Sequence, residues 1–151
     1  MMKRLFATLI AAVLVALSHI AFAQATVCVS QELDGSITVR AWGSGSTRTD
    51  AREQARKQAV YDVLFKGVTQ GADGYISRPI VNEPNARQKY RDYFDIFFMD
   101  RGAYMNYVSN ADKRRKGNVK RVSSREIRYC ITVRVLTPQL RQRLIEDGVI
   151  R

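Results

Sequence analysis

The sequence is poor in the residues on which most enzymatic chemistry depends. Of its 151 residues, one is histidine, two are cysteine and three are proline. The histidine, His19, lies within residues 1–23, which read as an export leader. Lys3 and Arg4 give a short basic start, residues 5–22 are apolar apart from Thr8, Ser18 and His19, and Ala21-Phe22-Ala23 is the pattern that signal peptidase prefers. The chain expected after cleavage, residues 24–151, then has no histidine. That excludes Ser-His-Asp and Cys-His mechanisms and the usual His-containing zinc sites. An apolar run of about 18 residues is also the shortest that crosses a bilayer, so retention of the leader as an anchor is the alternative. No later run is apolar enough to span.

With so few cysteines, Cys28 and Cys130 form a natural pair in an oxidising compartment. A disulfide between them is the expectation, pinning the first strand beside the last, and two buried free thiols are the alternative. Two cysteines without histidine leave a metal site short of ligands, and there is no C-x-x-C. Ala25-Thr26-Val27 lacks the small residue that an acylated cysteine requires before it.

What is abundant is positive charge. The chain carries 25 Lys and Arg against 14 Asp and Glu, a formal +11, and loss of the leader leaves +9. The basic residues concentrate in Lys113, Arg114, Arg115, Lys116, Lys120, Arg121, Arg125 and Arg128, with Glu126 the one acid among them. Such a segment binds an anionic polymer through salt-sensitive contacts, or it is a solvated hairpin tip that blocks edge pairing. It lacks the interleaved aromatics that single-stranded nucleic acid usually requires.

Hydrophobic patterning indicates one α+β domain over residues 24–151. Residues 26–32 and 36–42 are β-rich runs joined through Asp34-Gly35, a strong hairpin signal. Residues 43–46 read as a breaker, and Asp50 with Glu53 as a capping box. A helix then runs to about Lys66, with Ala51, Ala55 and Ala59 as a small-residue stripe suited to close packing on a sheet. Residues 75–81 read as an edge strand or loop, interrupted by Pro79. A second helix begins at Asn82-Glu83-Pro84 and stops at Gly102, with Ala86, Tyr90, Phe94, Phe97 and Phe98 buried, and Lys89 with Asp92 and Arg91 with Asp95 as paired charges. Residues 103–109 lean to a strand. Residues 127–135 alternate as a long strand, and Thr137-Pro138 opens a short C-terminal helix. The expected architecture is a two-layer sandwich: a mainly antiparallel sheet of three or four strands, two main helices and the short C-terminal one.

No cofactor is expected. Gly43-Ser44-Gly45 begins like a dinucleotide fingerprint, but Arg48 stands where the third glycine belongs. Carboxylate-only hydrolysis would draw on Glu53, Asp62, Asp92, Asp95 or Asp100, most of which have a cap or ion-pair use. Tyr93, Tyr104 and Tyr107 belong to an aromatic cluster whose helical spacing suggests core, with a partner-binding surface as the functional alternative.

Within residues 38–68, the strand, the glycine-containing turn, Arg48-x-Asp50-Ala51 and the alanines four apart resemble the N-terminal domain of flagellar-assembly protein T and the related small twenty-kilodalton surface lipoproteins. The chain is also similar to short exported proteins of Gram-negative anaerobes. The resemblance implies a two-layer envelope module used for assembly or partner contact, with no catalytic residues. The expectation is therefore a non-enzymatic exported protein of the periplasm or cell surface of a Gram-negative bacterium, acting by contact with an envelope protein. A binder of lipopolysaccharide, acidic glycan or nucleic acid through residues 113–128 is the alternative.

Overall fold

A computed structural model describes residues 25–71, 74, 76–111 and 118–151. The leader and the cluster Lys113, Arg114, Arg115 and Lys116 lie outside the described residues. The fold is α+β in two layers. Strands β1 (Val27–Gln31) and β2 (Ile37–Gly45) form the expected hairpin. Its turn is set by Gly35 at φ 83° and by Asp34, whose Oδ1 accepts from Ser36 N at 3.0 Å and Ser36 Oγ at 2.6 Å. Helix α1 (Arg48–Tyr61) continues into a π-helical turn over Asp62–Lys66. Helices α2 (Ala86–Lys89) and α3 (Arg91–Phe97) and a 3-10 turn (Ala103–Tyr107) lead to the short strands β3 (Val108–Asn110) and β4 (Asn118–Arg121). Strand β5 (Ile127–Val135) and helix α4 (Thr137–Glu146) complete the chain.

The sheet is antiparallel, in the order β1-β2-β5, with β3 and β4 both paired to the far edge of β5. β3 and β4 thus pair the same edge of β5 on either side of Ile131 and Thr132. Ile37, Val39 and Ala41 of β2 face α1, together with Tyr129, Ile131, Val133 and Val135 of β5, and all are buried. Ala51, Ala55 and Ala59 meet them with no exposed surface.

Several expectations need correction. β2 does not stop at Trp42. It runs on through Gly43 and Gly45, because a Cβ at Gly43 would lie 2.2 Å from Ala55 N and one at Gly45 2.6 Å from Ala51 N. The glycines are there for helix contact, not for strand breaking. The helix is capped one turn earlier than Asp50–Glu53. Thr47 Oγ1 accepts from Asp50 N at 3.1 Å, while Asp50 Oδ2 accepts from Thr47 N at 3.2 Å. The second helix is broken in two at Tyr90 and begins after Asn85, a non-glycine residue at φ 60°. Lys89 pairs with Glu83 at 2.7 Å instead of with Asp92, whereas Arg91 does pair with Asp95 at 3.5 Å. Most of the stretch expected as a strand at 103–109 winds as the 3-10 turn, which buries Tyr104 completely.

The disulfide expectation fails on topology. Both cysteines are free and buried, and β2 lies between their strands. Two inter-strand spacings already separate β1 from β5 by about 10 Å, beyond the roughly 7 Å that a bridge spans. A register shift between Cys28 and Ser30 also inverts the alternation of β1. Cys28 therefore stands opposite Val39 on the core face, while Cys130 stands opposite Trp42 on the other. The start of β1 is held by different means. Thr26 Oγ1 donates to the buried Asp62 Oδ2 at 2.5 Å, and Cys28 N donates to Gln70 O at 2.8 Å.

Candidate functional site

Helix α1 lies across one face of β2 and β5 only. The opposite face is built from the alternate residues, and the strand register sets them in four rungs. Ser30, Thr38, Arg134 and Ser109 form the first. Val27, Arg40 and Thr132 form the second. Trp42, Cys130 and Asn118 make the third, and Ser44, Arg128 and Lys120 the fourth. No aromatic other than Trp42 occupies these outward positions.

A groove of about 430 Å³ crosses the first two rungs, lined by Val29 and the hydroxyls of Ser30, Thr38 and Thr132, by Arg40 and Arg134 with Glu32 as the one acid, and by Ser109, Asn110 and Ala111 at the β3 edge. Its charges are not equivalent. Arg134 is tied down, donating from Nη2 to Asp34 Oδ2 and from Nε to Ser36 Oγ, both at 2.6 Å. These contacts, Ser36 first, hold the Asp34 carboxyl down at about 2. Glu32 accepts from Ser30 Oγ at 2.9 Å and Thr38 Oγ1 at 3.1 Å. Arg40 is exposed and meets no carboxylate among the described residues. On the next rung, opposite Trp42, burial pushes the Cys130 thiol up, opposed in part by the Arg40 charge, so the thiol stays protonated at neutral pH.

At the fourth rung the charge deepens. Lys120 and Arg128 stand directly opposite each other on β4 and β5, and among the described residues only Arg128 is offset, its Nε 3.3 Å from Glu126 Oε1. Lys120, Arg121 and Arg125 are exposed. Residues 113–128 hold eight Lys or Arg against one acid, while the rest of residues 24–151 hold fifteen against thirteen. Nearly all the excess positive charge is therefore confined to the sequence segment 113–128.

Of the other candidates all but Asp92, whose expected partner Lys89 pairs with Glu83, are absorbed by structure. Tyr104 is fully buried, stacked on Phe98 at 6.0 Å and donating to Glu53 Oε1 at 2.9 Å. Tyr93 is half-buried and donates to Asp147 Oδ2 at 2.6 Å, and Tyr107 stacks on Phe97 at 6.0 Å. The three do not form an exposed surface. Glu53 also accepts from Arg101 N at 3.1 Å. Asp62 is satisfied by Thr26, Gln58 and Lys66, Asp95 by Arg87 and Arg91, and Asp100 by Lys57. Among the described residues no buried side-chain polar atom lacks a partner, and no group of three or more Cys, Asp or Glu gathers where it could hold a metal ion. No described helix is long and apolar enough to cross a membrane. Sequence reasoning found the basic hairpin but missed Arg40 and Trp42. Their period-two alternation with Val39 and Ala41 was the available signal. Compared with family models, with curated proteins and with solved structures, the chain matches none.

Proposed function

We propose that this chain is an exported, non-enzymatic module of the bacterial envelope or cell surface that acts by contact, and that the basic hairpin makes the contact. The observation that carries this reading is the confinement of the charge excess to residues 113–128, among which the described Lys120, Arg121 and Arg125 are exposed. The like-charged pair of Lys120 and Arg128 is offset within the chain only by Glu126 on Arg128 among the described residues, and an added anion would relieve the rest, which supports an anionic polymer as the partner. The resemblance of residues 38–68 to envelope modules supports the compartment. A second reading, contact with a protein, is favoured by Val119 and Val122, apolar and exposed on the same hairpin.

The test is retention on immobilised heparin along a salt gradient, comparing the wild type with a variant in which Lys113, Arg114, Arg115 and Lys116 are changed to Gln. The wild type is expected to elute at distinctly higher salt. Equal elution of the two removes the segment as the contact. N-terminal mass analysis of the exported protein checks cleavage before Gln24.

A further inference from the structure

The hairpin accounts for attraction, but it does not use the outward face behind it. We propose that this face is a track for an acidic glycan chain, a polyhydroxylated polymer with carboxylate or sulfate groups, running from the groove at Arg40 past Trp42 to Lys120 and Arg128. The proposal rests on the contact reading above and names its partner.

Three features select this occupant. The cations are spaced along the face and do not converge on one point. Arg40 and Trp42 lie two residues apart on β2, about 7 Å, and Arg128 and Lys120 follow on the next strands at the rung beyond. A chain bearing an anion at intervals matches that spacing, and a single small anion does not. Beside them the positions along the track carry hydroxyls and an amide, Thr132, Ser44 and Asn118, with Cys130 at the level of Trp42, while Ser30 and Thr38 at its near end already donate to Glu32. A hydroxyl both donates and accepts, as sugar hydroxyls do, so a polyol finds partners in either polarity. Trp42 is half-exposed in the middle of the track and belongs neither to the core nor to the shell packed on it. One flat aromatic surface suits the apolar face of a sugar ring. Single-stranded nucleic acid would call for successive aromatics, and the outward positions offer only this one.

Within this track Arg40 gives charge and geometry together. It is exposed at the mouth of the groove with Thr132 directly opposite, so its planar fork can bind a carboxylate or sulfate in two-point fashion. Arg134 cannot do the same without releasing Asp34 and Ser36.

Trp42 is the sole tryptophan of the chain, so its fluorescence reports directly on the face. The experiment titrates the full mature protein with polygalacturonate, heparin, neutral dextran and an oligothymidylate, following emission. Saturable emission changes are expected with the two acidic glycans and none with dextran. Arg40→Gln is expected to weaken the glycan affinity about tenfold, the loss of one charge-assisted contact, with an unchanged thermal melt; Arg40→Lys is expected to recover part of it. Retention on heparin with no change in emission would leave the hairpin as the contact and overturn the track. An oligothymidylate that displaces both glycans at equal charge concentration would overturn the choice of glycan. Loss of both retention and emission response would remove the contact reading as well.

Discussion

Gly43→Ala is the most direct probe of how the helix and sheet are held together. The backbone of Gly43 is not in the left-handed region, so alanine fits its conformation and would tighten the unfolded chain, a gain of about 0.4–1 kcal/mol. Against that, the new Cβ would lie 2.2 Å from Ala55 N, 2.3 Å from Ala51 O and 2.7 Å from Gln54 C. All three are helix backbone, which cannot swing aside as the end of a side chain can. The helix has to retreat by about 1 Å, and Ala51, Ala55 and Ala59, fully buried now, lose contact along the stripe. Overpacking costs typically 1–3 kcal/mol, and three backbone collisions put this case at the upper end. The net expectation is a loss of about 2 kcal/mol, a fall in Tm of roughly 5–10 °C for a domain of this size. Urea and thermal denaturation followed by circular dichroism measure it, with Ser44→Ala, one residue along and facing outward, as a control expected within about 0.5 kcal/mol of wild type. If Gly43→Ala matches that control, the close approach of helix and sheet is not what the glycine serves.

Both cysteines are expected to react with a maleimide after denaturation without reductant, and slowly while folded, since burial raises both thiols and keeps them protonated; recovery of unlabelled, oxidised protein would restore the bridge. Asp34 titrates at about 2 when folded and at 3.8 otherwise, so its contribution is complete above about pH 4 and is lost as pH falls towards 2. Asp34→Asn is expected to flatten acid denaturation across that window, and an unchanged acid limb would refute it. Glu53→Ala leaves the buried Tyr104 hydroxyl and Arg101 N without their acceptor and is expected to cost about 1–3 kcal/mol, with much of the hydroxyl's share absent in a Tyr104→Phe background, as a double-mutant cycle would measure. Lys120→Glu places opposite charges across β4 and β5. It is expected to stabilise the fold by about 0.5 kcal/mol at low salt while weakening retention on heparin, and a change of both in the same direction would contradict the assignment.

Much of the fold was legible because it depends on local chemistry and period. Asp34-Gly35 between β-rich runs, four-residue spacing of alanines, alternation over residues 127–135 and Thr137-Pro138 each specify an element without reference to the rest of the chain. What was not legible depends on contacts at long range. A single extra residue in β1 turned Cys28 inward, although parity with Ser30 placed it outward. Gly43 and Gly45 read as a break because the helix that presses on them comes later in the chain. Residues 103–109 satisfied both periods, and burial of Tyr104 against Phe98 and Glu53 decided for the 3-10 turn. The basic hairpin was visible as composition, whereas the face behind it emerged only once the order β1-β2-β5 fixed which side α1 covers.

That order links the packing to the proposed function. Small residues on α1 and glycines in β2 draw one helix tightly against the sheet, which concentrates the apolar interior on a single face. Among the described residues no helix is packed on the other side of the sheet, so the alternate residues of the same strands must tolerate water. Serine and threonine would have met that need. Arg40, Trp42, Lys120 and Arg128 go further, because the part of a half-buried indole left in water gains nothing there and two cations opposed across a ladder cost stability. Residues that are suboptimal for the isolated fold, gathered on the one face the fold leaves open, point to a partner that compensates them.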